Sequence, residues 1–130
     1  MPADRTPFQY AVVRVVPRVE RGEFVNAGVV LFCRARRFLA ARTELDERAL
    51  AALDGGCDAS EVRAQLQTLE AVAAGDSAAG AVAALPQSER FHWITAPAST
   101  SVQCSPVHTG LTDDPEAELE HLFGALVRRR

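Results

Sequence analysis

Apolar residues along this chain come in blocks, and their spacing changes from block to block. From Phe8 to Val16 aromatic and β-branched residues dominate until Pro17 ends the run, which predicts a strand. Glu23 to Cys33 predicts a second. Phe24, Val30 and Phe32 fall on one face, and Val25, Val29, Leu31 and Cys33 on the other, so both faces are apolar and a central place in a sheet is expected. The short connection Arg18–Gly22 makes the pair an antiparallel hairpin. Gly28 in mid-strand predicts a bulge or the close approach of another backbone. Arg36 to Arg42 reads as a third strand after a tight Arg34-Ala35 turn.

The period then lengthens. Asp46 is placed to cap a short helix carrying Ala49, Leu50 and Leu53, with Gly55-Gly56 to stop it. Asp58 followed by Glu61 resembles a capping box ahead of Val62, Leu66, Leu69 and Ala73 at helical spacing. Ser77 to Leu85 reads as another short helix before Pro86. Two more strands are expected at Phe91–Thr95 and Ser101–Cys104. Asp113 or Asp114 then caps a last helix with Pro115 in its first turn. Its apolar stripe is Leu119, Leu122, Phe123, Leu126 and Val127. Strands, helices, strands and a helix predict one α+β domain over residues 1–130. Its mostly antiparallel sheet of about five strands packs with helices and ends in a C-terminal amphipathic helix.

Composition narrows the setting. Three scattered cysteines, Cys33, Cys57 and Cys104, fit a reducing cytoplasm better than a disulfide framework. No signal peptide is read at the start, and no apolar stretch reaches the ~18 residues of a membrane span. All fourteen basic residues are Arg, which with the many Ala and Val points to a GC-rich bacterial genome. Residues 1–48 carry a net charge of +3 and residues 49–130 of −6, so neither a nucleic acid nor a membrane is an expected partner.

Candidate chemistry concentrates between Arg90 and Asp114, which holds the only Trp, two of three His and several hydroxyls. His92, Cys104 and His108 lack the paired spacing of structural zinc, so no metal is expected, and no cofactor motif is present. Cys104, Ser99 or Ser105 with His108 or His92, oriented by Asp113 or Asp114, has the residue types of a nucleophilic site. The strained-turn motif that usually presents a nucleophile is absent. Ser99-Thr100-Ser101, with charge from Arg14 or Arg90, has the parts of a phosphate site, though turn chemistry explains the same residues. Arg34, Arg36 and Arg37 read as a solvated hairpin tip. Asn26, disfavoured inside a strand, is either a fold-locking hydrogen bonder or a site residue. Simple alternation sets it on one face with Phe24 and Gly28.

Two segments carry a resemblance. Arg21-Gly22-Glu23-Phe24-Val25-Asn26-Ala27-Gly28-Val29-Val30-Leu31-Phe32 is one. The other is Trp93-Ile94-Thr95-Ala96-Pro97-Ala98-Ser99-Thr100, continuing through Gln103 and Val107–Pro115. Together they resemble the bacterial domain of unknown function 3037 family over nearly the whole chain. The resemblance implies no activity. It implies a HipA-like kinase as a partner, because members often sit beside such proteins. The family pattern often has Arg at position 98, where this chain carries Ala98.

The reading that follows is an interaction or regulatory protein of the cytoplasm. It binds a partner protein or a small ligand through Glu23, Asn26, Ser99, Thr100, Gln103, His108 and Asp113. The segment Ser99–Asp114 is expected to wall the principal cleft and face Asn26. The alternative is a hydrolase or nuclease-like enzyme using His108 with Asp113 or Asp114 and a Ser or Cys.

Overall fold

The first two strands, β1 (Thr6–Val15) and β2 (Val25–Cys33), pair antiparallel as the hairpin that the pattern predicts. The computed structural model describes residues 4–98 and 100–128. A turn at Val19–Arg21 links the strands, and Gly22 closes it at φ 69°, a left-handed conformation open to glycine at no steric cost. The third strand, β3 (Phe38–Thr43), pairs antiparallel with β2 and begins two residues later than expected. A helical turn at Arg34–Arg36 takes up those residues.

Gly28 meets both expectations at once. The register shifts between Val13 and Arg14, so that Val13 faces Gly28 and Arg14 faces Asn26, with Ala27 as the extra residue of a bulge. A Cβ on Gly28 would stand 2.6 Å from the carbonyl oxygen of Arg42, so β3 can lie here only against a glycine. The bulge also corrects the alternation argument. Residues directly opposite in a ladder share a face, so Asn26 goes with Arg14 to one face and Gly28 with Val13 to the other.

Two short strands, β4 (Val102–Cys104) and β5 (His108–Thr112), lie end to end along the remaining side of β1. β4 pairs with Val13–Val15 and β5 with Thr6–Tyr10, giving the order β3-β2-β1-β4 with β5 also on β1. All pairings are antiparallel. Ser105 bridges the gap between them. Its amide donates to the Val12 carbonyl at 2.8 Å, and its Oγ accepts from the Val12 amide at 2.9 Å. This hydroxyl, one of the candidate nucleophiles, is buried and completes the ladder where Pro106 interrupts it.

The helices are α1 (Glu47–Leu53), α2 (Ala59–Ala74), α3 (Gln87–Thr95) and α4 (Pro115–Leu126). Asp46, Asp58 and Asp114 cap α1, α2 and α4 as their positions predict. Each side-chain oxygen takes an amide of the first turn. The expected helix at 77–85 is two separate 3-10 turns around Gly80, which sits at φ 96°. The expected strand at Phe91–Thr95 is wrong: these residues are the last half of α3. A short apolar run fits either period. Burial of Arg90, Phe91 and Ile94 with Trp93 left outside settles it as helical. The sheet reaches five strands through β5 instead.

Helices cover both faces of the sheet. On one face Ala11, Val13, Val15, Val30, Phe32 and Leu39 meet Leu50 of α1, Val62, Leu66 and Val72 of α2, and Phe91 and Ile94 of α3. On the other, Phe8, Val29, Leu31 and Cys33 meet Leu119, Phe123 and Val127 beside or on α4. The two covers explain why β2 is apolar on both faces. Within the α4 stripe Leu122 is only half-buried and Leu126 reaches solvent, so Leu119, Phe123 and Val127 carry the packing. Among the described residues no helix is long and apolar enough to cross a membrane.

Candidate functional site

The segment that follows α3 turns at Ala96-Pro97-Ala98 and returns to the sheet as β4. That return opens a groove of about 370 Å³ between β4, α2 and the end of α3. Gln65, Thr68 and Leu69 form its α2 wall, since three- and four-residue spacings share one helix face. Trp93 and Ile94 form its α3 wall, and Thr100, Val102, Gln103 and Cys104 its β4 wall. Trp93 is 53% exposed, a large apolar side chain left at the mouth. Thr100 holds the return tight. Its Oγ1 donates to the Val102 carbonyl at 2.8 Å, and its own carbonyl accepts from Gln103 Nε2 at 2.8 Å.

Cys104 lies toward the core, its Sγ 3.5 Å from the Ile94 carbonyl oxygen. Burial pushes its thiol up to about 11, and the nearby Arg14 charge offsets only part of that. The thiolate is the nucleophile of cysteine chemistry, so near neutral pH this thiol is an apolar wall. Native Cys104 is expected to resist iodoacetamide at about pH 8 and to be labelled as the pH climbs through its raised range. The stability effect has the same direction. A thiol raised from 9.0 to about 11 keeps its contribution below pH 9, and the contribution is lost as pH rises toward 11. Timed alkylation read by mass spectrometry checks this, and fast native labelling at about pH 8 refutes it.

The predicted site residues do not all meet. Thr100 and Gln103 line the groove, and Asn26 does not. Asn26 belongs to a polar row on the α4 face, where Gln103, Arg14 and Asn26 sit side by side on β4, β1 and β2. Asn26 Nδ2 donates to the Leu126 carbonyl at 3.0 Å and so ties the end of α4 to the bulge. Such a tie is what the fold-locking reading of Asn26 asks for. Beside it the Arg14 guanidinium lies 4.1 Å from the centre of the Phe24 ring. Arg14 Nε and Asn26 Oδ1, a donor and an acceptor on facing residues, are buried without partners.

Glu23 is at the hairpin mouth, paired with Arg21 at 2.6 Å, and this hydrogen bond holds its carboxyl below the usual range. His108 is exposed on β5, its ring 5.2 Å from that of Tyr10. Asp113 and Asp114 follow the opposite end of β5, so roughly 13 Å or more of strand separates them from His108. Asp114 is engaged as the α4 cap, and Asp113 is exposed. Ser99 lies outside the described residues. Arg90, considered for charge at a phosphate site, is buried against backbone carbonyls. Among the described residues no group of three His, Cys, Asp or Glu side chains gathers as metal ligands.

Sequence reasoning missed the α2 wall and the part played by Trp93. The signal was present in the Gln65, Thr68, Leu69 spacing and in a lone Trp beside a Pro turn. Strand geometry for 91–95 hides the α3 wall, because it turns Trp93 and Ile94 to opposite faces.

The family of proteins of unknown function DUF3037 matches residues 10–127. The chain belongs to that family, as its two motif segments indicate. No curated protein and no solved structure matches it.

Proposed function

We propose that this protein is a small interaction module of the bacterial cytoplasm, and that the Trp93 groove takes an apolar side chain of a partner protein. The observation that carries the reading is the chemistry of the groove. Its described lining residues include no Asp, Glu, Lys, Arg or His, and its thiol stays protonated. Such a lining has nothing to move a proton with and nothing to hold a charge. It suits a neutral, largely apolar occupant, with Gln65, Thr68 and Thr100 as polar groups to orient it. The hydrolytic reading draws no support from His108, which stands far along β5 from either aspartate. Three free cysteines support a reducing compartment.

The resemblance to a family found beside HipA-like kinases makes such a kinase the first partner to test. Calorimetry of this chain with the HipA-like kinase of the same organism is expected to show binding. Trp93→Ala is expected to weaken it by about thirty-fold or more, the loss typical of a central aromatic anchor. Circular dichroism should be unchanged, because Trp93 is half outside the fold. Binding that is unaffected by Trp93→Ala sinks the assignment of the groove. Binding of a small neutral ligand instead, seen as a shift in the emission of this sole tryptophan, moves the occupant from protein to small molecule.

A further inference from the structure

The two edges of the sheet are treated differently. At the β3 edge, Glu70 of α2 accepts from the Thr43 amide at 2.8 Å, and the strand carries the charged Arg42. Such covers and charges keep edges from pairing with other strands. β5 has none of them. His108-Thr109-Gly110-Leu111-Thr112 contains no Lys, Arg, Asp, Glu or Pro, and its register with β1 runs unbroken. His108 and Thr109 are exposed, and Leu111 is 59% exposed.

The direction of the free backbone groups follows from the ladder. Val12 turns both its amide and its carbonyl toward Ser105. Antiparallel strands alternate, so Tyr10, Phe8 and Thr6 turn the same way and bond to His108, Gly110 and Thr112, their partners in register. Thr109 and Leu111 therefore point their N–H and C=O groups away from the sheet.

We propose that β5 pairs antiparallel with β5 of a second copy of this chain, about a two-fold axis at Gly110. The pattern is self-complementary. With Gly110 opposite its own copy, Thr109 of each chain faces Leu111 of the other, and both residues present their free groups at that line. Gly110 at the axis has no side chain to clash. Each Leu111 arrives beside Thr109 of the other copy, at the rim of a hollow walled by Pro7, Phe8, Phe32 and Ala35 with Arg34 also in its lining. The same register sets His108 opposite Thr112 of the second copy at both ends of the pairing.

Sedimentation equilibrium of the full chain from micromolar to near-millimolar concentration is expected to show a species of twice the 14.0 kDa monomer mass. Hydrogen exchange should show protection of the Thr109 and Leu111 amides that grows with concentration. His108, Gly110 and Thr112 amides should stay protected throughout. Thr109→Pro removes an N–H that the monomer does not use. It should weaken the dimer about thirty-fold, one bond being lost from each copy. Leu111→Arg should weaken it as well, with circular dichroism unchanged. A wild-type chain that stays monomeric, with Thr109 and Leu111 amides unprotected at every concentration, overturns the proposal. So does a dimer that persists in both variants. The exchange pattern of the wild-type chain decides the matter even if a variant fails to fold.

Discussion

Arg90→Met is expected to lower the free energy of unfolding by about 3–5 kcal/mol. Arg90 is only 9% exposed. Its Nε donates to the Leu85 carbonyl at 2.9 Å, and its Nη1 to the Val72 and Ala73 carbonyls at 3.1 and 3.0 Å. The last two belong to the final turn of α2, where helix carbonyls lack intrahelical partners and the helix dipole is negative. One guanidinium therefore satisfies the end of α2, ties it to the turn before α3, and finds its counter-charge in backbone dipoles. Methionine fills similar space but takes a donor from the buried Val72 and Ala73 carbonyls and from the part-buried Leu85 carbonyl, and an unsatisfied buried group costs about 1–3 kcal/mol. Gly75 packs directly on this guanidinium, since a Cβ there would stand 2.8 Å from Nη1. Urea unfolding followed by circular dichroism measures the change. A loss below about 1 kcal/mol would show that water satisfies these carbonyls equally well.

Phe123→Ala is expected to cost about 3–5 kcal/mol, the range for emptying a buried phenylalanine site. Phe123 is 1% exposed and is the central contact of α4 with Val29, Leu31 and Cys33. The Arg42 and Arg128 guanidinium groups lie 5.0 and 5.2 Å from its ring centre, so the ring also seats two cations that shield this face. At this chain length the loss lowers Tm by roughly 10 °C or more. Leu122→Ala is the control. Leu122 is half-buried on the same helix, and its removal should cost no more than about 1–2 kcal/mol. Equal effects from the two substitutions would mean that α4 docks through a different stripe.

Tyr10 and Phe24 illustrate how far the site could be read without coordinates. The place of Tyr10 on β1 and of Phe24 just ahead of β2 was legible, because aromatic and β-branched residues bounded by Pro17 and Gly22 leave little but a hairpin. What they touch was not. Tyr10 meets His108 and Phe24 meets Arg14 only after β5 and the bulge are in position. Gln103 was expected to come back to the sheet that carries Asn26, and it does, with Arg14 of β1 between them. The groove itself was out of view, since it needs α3 to be a helix and α2 to pass beside β4.

Features decided within a few residues were open to the sequence by itself. Asp46, Asp58 and Asp114 cap helices because a side-chain oxygen reaches an amide two or three positions on, whatever the rest of the chain does. The two apolar faces of β2 required covers on both sides, and the DUF3037 motifs were visible as strings of letters. The tertiary structure decided wherever a local signal allowed two outcomes of similar free energy. Phe91–Thr95 fits a strand or a helix, and burial against α2 and the sheet selects the helix. Asn26 and Gly28 share a face in an ideal strand, and one extra residue in the ladder separates them. His108–Thr112 has no strong alternation, because neither of its faces is fully covered, and it becomes a strand only because Thr6–Tyr10 offers a row of unpaired backbone groups.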